Sequence, residues 1–203
     1  MYLSENNDKF PPNISRNSAG QLGFYVLGNA QRDTNSAGIT NGVLYPHIGA
    51  TASYRCPTDG SPVLGAISMR RVRSYRLLSW LNSDFVWHEI PAPSPNPQDS
   101  KPKLNMSELG APSEVFTFLD EHEQRMNDGG FYISLYPRGS DKDVWMKRTS
   151  SRHGQGLNLS FLDGHADRHK WKWPKSSRDH LIFLKDDLQD LRWLQGHLPP
   201  ARQ

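Results

Sequence analysis

Between Glu114 and Trp171 the chain runs through several short apolar segments separated by turn-forming residues, and this stretch constrains the fold most. Glu114-Val115-Phe116-Thr117-Phe118-Leu119-Asp120 is apolar almost without a break, which predicts a strand buried on both faces. Phe131-Tyr132-Ile133-Ser134-Leu135-Tyr136 predicts a second strand, entered through the turn Asn127-Asp128-Gly129-Gly130. Leu157 to Asp163 predicts a third, with Leu157, Leu159 and Phe161 on one face because strand side chains alternate. Gly164 breaks it, and His165 to Trp171 follow as a partner strand, the Asp163-Gly164 pair being a hairpin signal. If these neighbours pair antiparallel, the triplet Asp120, Glu121, His122 comes to lie beside His153 and Asp163.

Two earlier segments, Leu22 to Leu27 and Ser74 to Leu78, also read as strands. Pro91 to Lys103 holds five prolines and few apolar residues and reads as a surface loop. In the C-terminal segment Leu181, Leu184, Leu188, Leu191, Leu194 and Leu198 recur at steps of three and four. They form one apolar helix face, capped at Ser176 or Ser177 and ended by Pro199-Pro200. Strands, loop, strands and helix in that order predict an α+β fold, with long loops and an antiparallel sheet whose open face the helix covers. Only 35% of residues are hydrophobic and mean hydropathy is -0.71. With 16 glycines and 15 prolines besides, a modest core wrapped in loop is expected.

The net charge of +3 is small and scattered, and no nucleic-acid-binding motif or broad basic stripe is present. The densest basic run, Arg70-Arg71-Val72-Arg73 with Arg76, reads as an anion patch or, more plainly, as a solvated face. Cys56 is the only cysteine, which excludes an intrachain disulfide and a zinc site built from several thiolates. It sits in Cys56-Pro57-Thr58-Asp59-Gly60, a segment of turn-forming residues. No run approaches the ~18 apolar residues of a membrane span. Met1 to Asp8 lacks a basic start and an apolar run, so it reads as a cytosolic start or as a chain cut after its targeting segment.

Four segments, in order along the chain, carry a family resemblance. Tyr2 to Pro12 is similar to the segment after a prepilin membrane helix, and Arg55-Cys56-Pro57-Thr58-Asp59 to a Cys-Pro turn. Phe118-Leu119-Asp120-Glu121-His122 with Met126-Asn127-Asp128-Gly129 forms a second signature. His153, nine residues, then Asp163-Gly164 forms the naming one. Together they resemble the bacterial prepilin-type, type II secretion pseudopilin-like proteins with a C-terminal H-X9-DG domain. The resemblance implies that residues 1–12 are the end of a truncated N-terminal helix and its linker, and that residues 13–203 form one soluble pseudopilin-like domain. It further implies cleavage and N-methylation of a leader-bearing helix, and residence outside the cytoplasm, in the periplasm or at the cell surface, anchored in the inner membrane. Its partners would be other pseudopilin subunits and the secretion machinery, with no nucleic acid, and its role non-catalytic.

Candidate chemistry gathers in Asp120, Glu121, His122, His153, Asp163 and His165. On extended backbone Asp163 and His165 share a face, as do Asp120 and His122. Their oxygen and nitrogen donors suit a divalent ion such as calcium or zinc. The other reading is structural, with Asp163-Gly164 as a turn and His153 pinned to a buried carboxylate. Asp141 and Asp143 have the spacing of a calcium-loop fragment but lack its downstream Glu. Four of the six tryptophans (Trp145, Trp171, Trp173, Trp193) lie late in the chain, as core or as sugar-stacking groups. The alternatives to a structural subunit are therefore an extracellular metal-dependent hydrolase and a polysaccharide-binding module.

Overall fold

The computed structural model describes residues 2–13, 23–83, 102–122, 126–135, 143–175 and 185–199. The fold is α+β. Its strands are β1 (Pro62–Val63), β2 (Ala66–Arg70), β3 (Tyr75–Leu78), β4 (Phe116–Asp120), β5 (Gly130–Phe131), β6 (Gly156–Phe161) and β7 (Ala166–Lys170). Its helices are α1 (Tyr2–Glu5), α2 (Ala37–Thr40), α3 (Tyr45–Ile48) and α4 (Lys185–Gly196). β1 and β2 form a separate hairpin, while the main sheet has the order β5-β3-β4-β6-β7.

β4 is the middle strand of five, which accounts for its unbroken apolar sequence. Phe116 faces Phe161 and Leu119 faces Leu159, although residues three apart on a regular strand point to opposite faces. A register shift between them resolves the conflict and turns both inward. On β6 the alternation holds, with Leu157, Leu159 and Phe161 buried together. Gly156 opens that strand because a Cβ there would run into the His169 carbonyl across the β6–β7 ladder.

α4 covers the face that carries these residues. Leu191 and Leu194 are fully buried with Leu198 just beyond the helix, in the core cluster of Phe116, Leu157 and Trp171. The Trp193 ring stacks on His169 of β7 at 3.5 Å between centroids. The backbone N–H of Phe116 donates to the His197 carbonyl at 3.2 Å. Asp190 accepts from the backbone N–H groups of Lys172 and Trp173 at 3.0 and 2.9 Å, fixing the chain beyond β7 to the helix. The predicted start at Ser176 or Ser177, with Leu181 and Leu184, lies outside the described residues, as does most of the Pro91 to Lys103 segment.

Three expectations need correction. Described residues of the Leu22 to Leu27 run form bends, not a strand, because their amides are taken by loops: Tyr25 N–H donates to Pro12 and Leu27 N–H to Gly38. Among the described residues of the Phe131 to Tyr136 run only Phe131 is in a strand, β5, which starts at Gly130 and pairs with β3 in parallel, the exception to an otherwise antiparallel sheet. The basic run is not a solvated face either, since Arg71, Arg73 and Arg76 are all buried. Arg76 forms an ion pair with Glu121, also fully buried, and binds Asp128 Oδ1 at 2.5 Å, Asn127 Oδ1 at 3.1 Å and the Gly130 carbonyl at 2.6 Å. Burial pulls the guanidinium down to about 10, which leaves it charged at neutral pH. One arginine thus joins β3, the end of β4 and the turn into β5.

Removing one partner of a buried ion pair strands the other charge, at a typical cost of ~3–5 kcal/mol. Arg76→Leu is expected to lower the unfolding free energy by about that much in urea titration. A loss below ~1 kcal/mol, as for an exposed pair, would contradict this placement.

Candidate functional site

The site begins with a turn. Asp59 N–H donates to the Cys56 carbonyl at 3.0 Å, closing a four-residue turn whose second position is Pro57, the residue that presets its dihedral. Asp59 anchors the turn to the entry of β3, accepting from Ser61 N–H at 3.0 Å and from the Ser74 hydroxyl at 2.6 Å. Cys56 is thereby held in the interior, 1% exposed, with its Sγ 3.0 Å from Thr58 Oγ1.

β4 delivers the second group. Asp120 ends that strand opposite Tyr75 of β3 and is fully buried. The third comes from an excursion of the backbone between Thr149 and β6. Thr149 bridges to Glu121, and Ser150 N–H donates to the Asp120 carbonyl at 2.9 Å. Residues 151–155 then leave the ladder before β6 resumes it. Gly154 and Gln155 have φ of 62° and 58°, the left-handed conformation that reverses the loop and folds His153 back. Arg168 of β7 holds the His153 carbonyl through Nε at 3.0 Å, and the Trp171 indole N–H donates to the Ser150 carbonyl at 2.9 Å.

At the centre His153 Nε2 lies 2.8 Å from Asp120 Oδ2 and 3.6 Å from Cys56 Sγ. Arg152 Nη2 donates to Asp120 Oδ1 at 3.1 Å, and its Nη1 donates to the Glu121 carbonyl at 3.2 Å and lies 3.8 Å from Asp59 Oδ2. Burial works against ionisation of Asp59, but the hydrogen bonds from Ser61 and Ser74 and the Arg152 charge outweigh it, leaving the carboxyl below its ordinary range. Burial likewise opposes the Arg152 charge, and Asp59 and Asp120 overcome it, holding that group up. Burial, with help from Asp120 and Cys56, pushes the Tyr75 hydroxyl to about 12. Beside the cluster opens a cleft of about 610 Å³ whose lining includes Asp59, Ser61, Ile67, Arg71 and Arg152.

The sulfur of Cys56, a carboxylate oxygen of Asp120 and a ring nitrogen of His153 all lie within 4.8 Å of one another, a group that could hold a metal ion. A nucleophile relay is a poorer match. In a Cys-His-Asp relay the imidazole turns one nitrogen to the nucleophile and the other to the acid. Here Nε2 faces both.

Of the six residues expected at the site, the structure brings Asp120 and His153 together. Glu121 points away and is taken by Arg76. His122 is buried, its backbone N–H donating to Arg148, and it is not in the cluster. Asp163 and His165 are at the other end of the sheet, because Phe161 faces Phe116, four residues or roughly 13 Å along β4 from Asp120. Nor is their backbone extended. Gly164 has φ of 96°, and Asp163 Oδ1 accepts from the His165 N–H at 3.1 Å and lies 2.6 Å from its Nδ1, closing an exposed turn. Asp143 is paired with Arg192 rather than free for calcium, and Asp141 lies outside the described residues. The sequence reasoning missed Cys56, Asp59 and Arg152 as site residues. The signal for Cys56 was its place in the Arg55 to Asp59 turn.

No protein-family model, curated protein or solved structure matches this chain. Among the described residues no helix is long and apolar enough to cross a membrane.

The lowered Asp59 carboxyl makes an acid-sensitive contribution. Its folded-state pKa is below the unfolded value of about 3.9, so the stabilisation is present above that value and is lost as pH falls through the folded pKa. Melting temperatures from pH 7 to 2 should show Asp59→Asn less stable than the parent at neutral pH, with the gap closing below about pH 4. A gap that stays constant into acid would contradict the assignment.

Proposed function

We propose that this chain is the globular head of a prepilin-type, pseudopilin-like protein of the H-X9-DG kind. In this reading it is a non-catalytic structural subunit of a type II secretion or type IV pilus-like assembly, held outside the cytoplasm by an inner-membrane helix. The observation that carries the reading is the gathering of parts of three of the four resembling segments. Arg55 to Asp59, the end of β4 and His153 meet around Asp120, and Met126 to Gly129 is held to the next strand by Arg76. Segments separated by up to 97 residues thus serve one sheet end, as expected if the signatures record a structural unit.

The non-catalytic assignment draws on the burial of Asp120 and Cys56 and on the single imidazole nitrogen that faces both. Asp163-Gly164 enters this picture as the β6–β7 turn rather than as a ligand. Of the two ions considered, calcium favours all-oxygen donors, so a set containing a sulfur supports zinc instead. Among the described residues the sugar-binding alternative loses support because Trp80 and Trp171 are buried and Trp145 and Trp193 pack against the core, leaving half-buried Trp173 outside it. Its partners in this reading are other pseudopilin subunits and the secretion machinery.

The test is processing and location. The gene, read from its natural start and tagged at the C-terminus, is expressed in a bacterium with a working type II secretion system. The expected product is in the membrane fraction, with a cleaved, methylated N-terminus by mass spectrometry and a head open to protease in spheroplasts. An unprocessed product confined to the cytoplasm would overturn the proposal.

A further inference from the structure

The geometry points to a zinc(II) site formed by Cys56 Sγ, Asp120 Oδ2 and His153 Nε2. This goes beyond the pseudopilin reading and does not depend on it. One imidazole nitrogen has more neighbours than it can serve. His153 Nε2 has one position, a hydrogen or a lone pair, yet it meets a carboxylate oxygen at 2.8 Å and a sulfur at 3.6 Å. A hydrogen bond satisfies the first and leaves Cys56 beside the same atom without a share in it. A metal ion between the three satisfies all of them at once.

Two of the three separations are close to those of a zinc site, and the third, Cys56 Sγ to Asp120, lies within 4.8 Å and must close to ~3.6 Å. With Zn–S near 2.3 Å and Zn–N and Zn–O near 2.0–2.1 Å in a tetrahedron, sulfur and nitrogen ligands stand ~3.6 Å apart and nitrogen and oxygen ~3.3 Å. The Cys56–His153 separation already has that value, and His153 and Asp120 must part by about half an ångström to admit the ion. His153 rides on the loop of residues 151–155, outside the ladder, so it is the ligand best able to adjust. The donor set of one thiolate, one imidazole and one carboxylate is borderline-soft, matching zinc over calcium or magnesium.

The surroundings are those of oriented ligands. Asp120 Oδ1 is held by Arg152, leaving Oδ2 to point at the site. The His153 carbonyl is held by Arg168, and Tyr75 and Thr58 reach the sulfur. Charge also balances: a thiolate, Asp120 and Asp59 offset zinc and Arg152. Three protein ligands leave one tetrahedral position, and it falls to water on the His153 side, since that side chain is 18% exposed while Asp120 is closed off.

The test uses the whole chain, purified without chelator or affinity metal. Elemental analysis is expected to give one zinc per chain. Cobalt(II) in its place should give a tetrahedral visible spectrum with an intense thiolate-to-cobalt band in the near ultraviolet. Cys56→Ser should erase that band, and His153→Gln should weaken zinc binding at least tenfold in competition with a chromophoric chelator. Added zinc should raise the melting temperature of the stripped parent and leave Cys56→Ala unmoved. Because the cobalt spectrum is read on the parent protein, a variant that fails to fold does not blunt the test. Stripped parent that takes up neither zinc nor cobalt and melts at the same temperature with or without them would overturn the site. So would a cobalt spectrum without the thiolate band.

Discussion

The buried carboxylate of Asp120 is the constraint from which the site follows. A charge with no exposure is tolerable only when its oxygens are matched by donors. Arg152 takes Oδ1, while His153 and the Asn158 N–H, the latter at 3.4 Å, converge on Oδ2. All three partners belong to the excursion between residue 150 and β6 or to the strand that follows it. The demand of one carboxylate therefore folds the loop back, and the folded loop carries His153 to Cys56. Asp59, sharing Arg152 with Asp120, draws the Cys-Pro turn into the same arrangement.

A second polar clamp works on the opposite face of the sheet. Arg76 and Leu119 are register partners, so Arg76 points to the α4 side while Tyr75 and Asp120 point to the other. Its pair with Glu121 and its bonds to Asn127, Asp128 and Gly130 tie a turn to the sheet where only two residues of strand pairing exist. A chain with 35% hydrophobic residues has limited apolar area to bury. Here buried charge pairs fix which loops lie where, and the apolar residues of β4, β6 and α4 supply the common core. The net stability such pairs add is limited, because desolvation offsets much of their attraction.

The parts of this architecture written in local pattern were legible. Leu157, Leu159 and Phe161 alternate, and an Asp-Gly pair follows, so the β6–β7 hairpin could be read directly. The leucine spacing gave the helix through Leu188, Leu191 and Leu194. What escaped depended on distant partners. Nothing in the basic run tells that Glu121 and Asp128, some fifty residues away, will take Arg76 into the interior, or that Arg73 will donate to the Gly28 carbonyl. Cys56 joins the site through a histidine 97 positions on, a pairing that no local window contains. The misplacement of Asp163 and His165 has a sharper cause. The period-two rule assumes extended backbone, and Gly164 at φ 96° breaks it, leaving the pair bonded to each other in solvent.

Whether Asp120 and His153 truly form the joint of this site is best measured by a double-mutant cycle on unfolding free energy, with Asp120→Asn, His153→Gln and the combination. A coupling of ~1–3 kcal/mol is the result this structure predicts, because the residues share one short contact inside a buried network. Strict additivity, within ~0.5 kcal/mol, would mean that the two side chains do not meet and that the site does not exist as described.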